Sequence, residues 1–384
     1  MIIAIFFHDD DVFSGATRSM FSLAEYWSSK GNTIIAFIPG HGALKHVAEE
    51  KGFIVKEIPS FKTRINLTRG KITQLFLFVI GVFSNAFLHL YSRFMLFPFA
   101  KKMHIEILYS NTTATMVGYE LKKLLKIPLI WHIREFGKLD QNCEYVFGRK
   151  ALCRRINSSD LVVYISNAVK KSYSPYLCNT REIVVYNDIS KDFDCFFERN
   201  WKKELLSFLS VGGIIPGKGH KCAIDAIIKL HNEGYPVELK IAGKGKSYMI
   251  ELEKYITNQK ANSYIHMLGQ VSDMKQLRES CEVGIVASLM EAFGRVTIEG
   301  MLSGLLMIGA NSGGTAELIS DGENGYLFIP DDVESLASII RNIFDDREMA
   351  RKLAINGYHS ALKFTTGNCA QRILDSMQRM IELR

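Results

Sequence analysis

The sequence predicts an α/β protein made of two parallel-sheet domains that face each other across a cleft. Three observations carry this. Short apolar runs of four to six residues alternate with longer segments of helical period. The series of runs stops and restarts once along the chain, and glycine-rich turns follow the carboxyl ends of several runs, where open parallel sheets place their ligands. With 384 residues, 47% hydrophobic and 23% charged, the chain exceeds one ordinary core and is not disordered.

The elements follow in order. Residues 2–7 form an apolar run with no basic residue before it and Asp9, Asp10 and Asp11 after it, the layout of a buried strand and not of a secretory signal. Runs at 33–37, 54–58, 107–109, 129–131, 161–165 and 183–185 continue the first series. The second comprises 208–211, 237–242, 265–268, 283–287 and 306–310, with helices such as 220–233 and 333–345 between them. The expected boundaries are a first domain 1–190, a polar linker 191–204, a second domain 205–367 and a closing helix 368–384. The most apolar stretch, 75–90, contains Gly81, Ser84, Asn85 and His89 and lies between Lys71 and Arg93. It falls short of the roughly 20 apolar residues of a membrane span, so the expectation is an amphipathic helix, packed or lying on a membrane surface.

Cys143, Cys153, Cys178, Cys195, Cys222, Cys281 and Cys369 are widely spaced and never Cys-x-x-Cys, which spells neither a disulfide framework nor a zinc knuckle and fits a reducing cytoplasm. Net charge is +7, and the first half is the basic one: residues 1–191 hold 25 Lys and Arg against 15 Asp and Glu, residues 192–384 hold 22 against 25. No cluster of Lys and Arg with interleaved aromatics appears, so nucleic acid is set aside in favour of an anionic membrane surface or a phosphate-bearing acceptor.

Several turns can carry chemistry. Gly212-Gly213-Ile214-Ile215-Pro216-Gly217-Lys218-Gly219 joins a strand to a helix, where glycines admit an anion to the backbone, the helix start aims N–H groups at it, and Lys218 adds a full charge. Glu291 and Glu299 stand eight positions apart around a helix start. Were both helical, they would lie about 12 Å apart, too far to share a proton but suited to the two ends of an extended ligand. Gly309 to Glu317 is a further glycine turn. In the first domain, Gly15 opens a helix after the first strand, and Asn111 and His132 stand at strand ends.

Taken together, Glu291-Ala-Phe293-Gly294-x-x-x-x-Glu299, Gly313-Gly314-x-x-Glu317, Asn324-Gly325 and the upstream Gly213-x-x-x-x-Lys218-Gly219 resemble family 4 of the retaining glycosyltransferases. The resemblance extends through Ser14-Gly15-Ala16-Thr17-Arg18, Asn111-Thr112-Thr113, His132-Ile133-Arg134-Glu135-Phe136 and Tyr186-Asn187, and so covers most of the chain. It implies the GT-B architecture, two facing Rossmann-like domains with an interdomain cleft and the donor held mainly by the second. It further implies that Lys218 binds the donor diphosphate, that Glu299 holds the ribose hydroxyls, and that Glu291, Phe293 and Gly294 contact the transferred sugar. Gly15 then lines the phosphate side and His132 approaches the sugar, with Lys218, Glu291 and His132 as the catalytic set. Asn111, Arg134 and Glu135 are the expected acceptor-side residues. The chain departs from the family at Gly213, where an Arg commonly stands, and either Arg295 or the neighbouring backbone N–H groups are expected to make up the missing charge.

The resemblance implies retention of anomeric configuration. No carboxylate in the motifs is an obvious nucleophile, which favours same-face attack with the departing phosphate taking the acceptor's proton. With no Asp-x-Asp motif, the expected chemistry needs no metal and no cofactor beyond a nucleotide-sugar co-substrate such as a UDP-sugar. A saccharide or polyisoprenyl-phosphate-linked acceptor, as in capsule or O-antigen synthesis, fits the basic first half and a cytoplasmic protein peripheral to the membrane. Two alternatives stay open: a weakly active nucleotide-sugar-binding partner of another transferase, and a nucleotide-sugar epimerase. A dinucleotide oxidoreductase is disfavoured, because no first strand is followed by Gly-x-Gly-x-x-Gly.

Overall fold

The structure, a computed structural model, describes residues 1–12, 14–40, 42–178 and 181–383. Its contacts form two compact units, Met1–Asp188 with Gly367–Arg384, and Ile189–Thr366.

The first unit is built on a parallel sheet in the spatial order Ile54–Ile58, Thr33–Pro39, Ile2–Phe6, Ile107–Asn111, Leu129–Ile133, Leu161–Tyr164, Arg181–Val184. Helices cover both faces of such a sheet, so its central strands read as unbroken apolar runs, and Ile3, Ala4, Ile5 and Phe6 are fully buried. The second unit repeats the plan with Ile265–Gly269, Val237–Ala242, Leu206–Val211, Val283–Val286, Leu306–Ala310, Tyr326–Phe328. In both sheets the strand order reverses beside the unit's first strand. That switch point, between Leu206–Val211 and Val283–Val286 in the second unit, opens a crevice at the carboxyl ends of the strands.

Several features differ from the sequence reading. Tyr326–Phe328 adds a short edge strand, and Arg64–Asn66 pairs antiparallel with Cys143–Tyr145. Residues 191–204, read as linker, are counted with the second unit, where the buried Arg199 donates to the carbonyls of Glu279 (2.8 Å) and Ser303 (2.7 Å). The closing helix Asn368–Glu382 belongs to the first unit: the Trp27 indole N–H donates to the Ala370 carbonyl at 3.0 Å, and Ile373, Leu374 and Met377 join the core around Met20 and Trp27.

The largest correction concerns the apolar stretch. Helix Lys71–Tyr91 runs through a π-helical turn, Ser92–Leu96, into helix Phe97–Lys102. Pro98 has no N–H to offer the preceding turn and its ring crowds the carbonyl there, and the widened turn before it accommodates both. The resulting 32-residue helical run holds an 18-residue window with a mean hydropathy of 1.7, and is long and apolar enough by length and composition to cross a membrane. Of the polar residues that interrupt it, Asn85 falls on the packed side, where it accepts from the Tyr145 hydroxyl at 3.0 Å.

Candidate active site

Two loops meet at the switch point of the second unit. Loop 212–219 ends in the turn Pro216–Lys218 and enters helix His220–Asn232, and loop 287–294 enters helix Arg295–Leu302. They touch at Gly219, which has φ +67° and where a Cβ would lie 1.9 Å from the Ala287 carbonyl oxygen, so no other residue permits the approach. The Leu289 N–H donates to the Gly217 carbonyl at 3.0 Å and locks the two together. As a result the Lys218 ammonium sits 2.7 Å from the Glu291 carboxylate, with both side chains reaching solvent.

The third glycine turn fixes Glu291 from the other side. The Gly314 N–H donates to the Glu291 carbonyl at 2.6 Å, and a Cβ on Gly314 would lie 2.6 Å from the Phe293 Cα. Phe293 is buried with its ring 6.0 Å from that of Phe364. Glu291 is therefore a loop residue and not the first residue of the helix, which begins only at Arg295 because Gly294 takes φ +93° as its N-cap. Glu299 lies one turn inside that helix.

Glu299 is held by arginines. Arg278 donates to one carboxylate oxygen at 2.6 Å and Arg295 to the other at 2.7 Å, and both guanidiniums lie over the Phe193 ring. Glu299 is 5% exposed. Arg295, expected beside the diphosphate, thus has its Nε committed to Glu299. Each oxygen of Glu299 retains a further lone pair that can accept from a hydroxyl. At Gly213 a Cβ would meet only the Lys244 carbonyl, at 4.0 Å, so nothing in the packing demands glycine there. The Ile214 N–H donates to that same carbonyl at 2.9 Å, which brings the exposed Lys244 and Lys246 alongside this loop, two cations that motif reading passed over.

His220, also unmarked in the sequence, supports the loop. Its Nε2 lies 3.2 Å from the Gly213 carbonyl and its Nδ1 3.0 Å from the Ser210 hydroxyl. A carbonyl only accepts, so Nε2 carries the proton and Nδ1 accepts from Ser210. Burial, reinforced by the nearby Lys218 charge and opposed by the Gly213 hydrogen bond, lowers its pKa to about 4.

In the first unit, His132, Asn111, Arg134 and Glu135 come together at the ends of Ile107–Asn111 and Leu129–Ile133. Arg134 donates to Asn111 and to Asn187, each at 2.6 Å. Glu135 accepts from the Thr113 N–H at 2.7 Å and hydroxyl at 2.6 Å, and pairs with Arg64. These buried groups are turned towards one another, as a frame is. His132 Nδ1 lies 2.6 Å from the Tyr109 hydroxyl, whose oxygen also accepts from Arg134. The phenol therefore donates to Nδ1 and the imidazole proton sits on Nε2, which is buried without a partner. Burial first, then the Arg134 charge, holds the His132 pKa well below the ordinary value, so the ring is neutral. Gly15 starts helix Gly15–Ser29 with open space where a Cβ would stand.

Two predictions follow from this geometry. Glu299→Ala leaves the buried Arg278 and the half-buried Arg295 without their carboxylate, and should cost about 3–5 kcal/mol in urea unfolding, with Glu299→Gln costing less. For His220, the unfolded chain binds a proton near pH 6.5 and the folded chain only near 4, so stability falls as pH drops between those values, by up to about 3 kcal/mol. His220→Gln should flatten that fall in denaturation curves taken across the window.

The comparisons with known proteins bear on this site. Residues 193–360 match the family model of the glycosyl transferases group 1. An uncharacterized glycosyltransferase of Methanocaldococcus jannaschii, MJ1178, is 28% identical over 259 residues, 67% of this chain and 70% of that protein. Three further curated relatives are matched over only 41% to 57% of their length. Among solved structures, HepE of Anabaena in complex with UDP-glucose has a TM-score of 0.76 at 21% identity, covering 99% of this chain and 100% of HepE. WaaG, a glycosyltransferase involved in lipopolysaccharide biosynthesis, has a TM-score of 0.70 at 16% identity over 98% of this chain and 99% of its own. The chain thus has the GT-B fold and glycosyltransferase relatives, and its residues 193–360 are a match to the glycosyl transferases group 1.

Proposed function

We propose that this protein is a retaining, metal-independent glycosyltransferase of family 4 that moves a hexosyl-type sugar from a nucleotide-diphosphate sugar, such as a UDP-sugar, to a saccharide or lipid-linked saccharide. The observation that carries the proposal is the pairing of Lys218 with Glu291 at the switch point, 2.7 Å apart, one cation for a diphosphate beside one carboxylate for sugar hydroxyls. HepE, bound to UDP-glucose, supports the donor class, and WaaG supports a role in surface polysaccharide synthesis.

Breaking a sugar–phosphate bond builds negative charge on the departing diphosphate. Lys218 and the first-turn N–H groups of helix His220–Asn232, which begin at the same turn, stabilise that charge without reorganising. Glu291 orients the sugar, Glu299 the ribose, and the departing phosphate takes the acceptor's proton on the same face. His132 Nε2–H is a fixed donor for a sugar hydroxyl.

Gly213 favours a second reading, a partner subunit that binds nucleotide-sugar with weak turnover. One set of measurements addresses both. UDP, GDP, ADP and their sugar conjugates are screened by thermal shift, where a ligand at a hundredfold excess over its Kd stabilises by about 2.7 kcal/mol. Nucleotide release is then followed with EDTA present. The expected result is a shift with one nucleotide family and turnover indifferent to EDTA, with Lys218→Ala losing the shift and about 10²–10³ in kcat/KM. Gly213→Arg, for which the site has room, should raise kcat; no turnover in either form, despite a thermal shift, favours the partner reading.

A further inference from the structure

The helical run 71–102 carries two opposite stripes. At 100° per residue, Ile72, Phe76, Phe83, Phe87, Leu90 and Phe94 fall on one face about 60° wide. These side chains are 52% to 87% exposed, and the stripe is roughly 33 Å long at 1.5 Å per residue. Gly81, Asn85, Leu88, Ser92 and Leu96 fall on the other face, which is the packed one. A Cβ on Gly81 would lie 2.7 Å from Val146, Asn85 accepts from Tyr145 and Arg155, and His89, beside this face, bonds Glu120 at 2.9 Å. An apolar stripe of this length is far larger than a soluble monomer ordinarily leaves to water.

Charge identifies what covers it. From residue 58 to residue 105 the sequence has no Asp or Glu, while it has Lys62, Arg64, Arg69, Lys71, Arg93, Lys101 and Lys102. Arg69 and Lys71 stand exposed at one end of the stripe, Lys101 and Lys102 at the other, and Arg93 beside it. A second copy laid on this stripe would bring like charges together with no acid in the segment to pair them. An anionic lipid surface meets both requirements, taking the phenylalanines below its headgroups and the lysines and arginines among them. Crossing the bilayer would carry the polar bonds of Asn85 and His89, and the unit packed on them, into hydrocarbon.

We infer that the helical run 71–102 is a membrane-surface anchor, lying flat on an anionic bilayer with the stripe from Ile72 to Phe94 inserted at the headgroup boundary. This does not rest on the transferase reading, and its test needs no turnover. The full chain is floated with vesicles of phosphatidylcholine alone and with 30% phosphatidylglycerol. Binding is expected to the anionic vesicles, about tenfold or more above neutral ones, and to weaken in high salt. Phe76→Ser with Phe83→Ser, both at exposed positions, should cut it by about tenfold or more while thermal unfolding in solution is unchanged. A Phe83→Trp variant should be quenched best by lipids brominated near the headgroup end of the chain. The inference is overturned if the wild type does not float with anionic vesicles, if the double variant floats equally well, or if quenching is strongest at the bilayer centre. It is overturned equally if sedimentation shows a wild-type dimer that the double variant converts to monomer, since the stripe then belongs to a second copy.

Discussion

The contact on which the candidate site depends is the approach of three loop backbones at the carboxyl ends of Leu206–Val211 and Val283–Val286. Gly219 lies against Ala287, and Gly314 against Phe293, at distances where a Cβ would collide with main-chain atoms. Lys218 and Glu291 are the side chains carried by that knot, so their 2.7 Å pairing is a consequence of backbone packing and not of the ion pair's own strength. An ion pair this open to solvent is worth little by itself. Its value lies in availability: Lys218 can exchange the carboxylate for another anion, which leaves Glu291 to accept from hydroxyls.

Behind this pair lie buried polar groups that pair with one another. Glu299 is shared between Arg278 and Arg295, and Glu135 between Thr113 and Arg64, and each carboxylate would be costly to leave unpaired. Such frames position their neighbours. They hold the helix Arg295–Leu302 in one unit and the strand ends bearing His132 and Asn111 in the other. The two buried histidines are neutral for the same reason, burial, and each has its proton on Nε2: in His220 the Gly213 carbonyl and the Ser210 hydroxyl fix it there, in His132 the Tyr109 hydroxyl alone.

Both parallel sheets were legible because strands covered on both faces read as unbroken apolar runs, and the order of the glycine turns gave their ends. Tyr326–Phe328 was not, since three residues at a sheet edge have no period to detect. The pairing of Arg64–Asn66 with Cys143–Tyr145 joins segments nearly 80 positions apart through backbone bonds, which leave no trace in side-chain pattern. The two glutamates were found, but their spacing was read as helical, and the left-handed Gly294 puts Glu291 in the loop. For 71–102, polar residues were counted without asking which face they occupied. Tyr109 and His220 escaped notice because a buried hydroxyl or imidazole is recognised as supporting a site only once its partners are in place.

The most direct test of the central claim is a crystal structure with the bound nucleotide-sugar that gives the largest thermal shift. The account predicts diphosphate oxygens within hydrogen-bonding distance of Lys218 Nζ, and sugar hydroxyls on Glu291. A diphosphate bound elsewhere, with the Lys218–Glu291 pair intact and no ligand atom on either side chain, would contradict it.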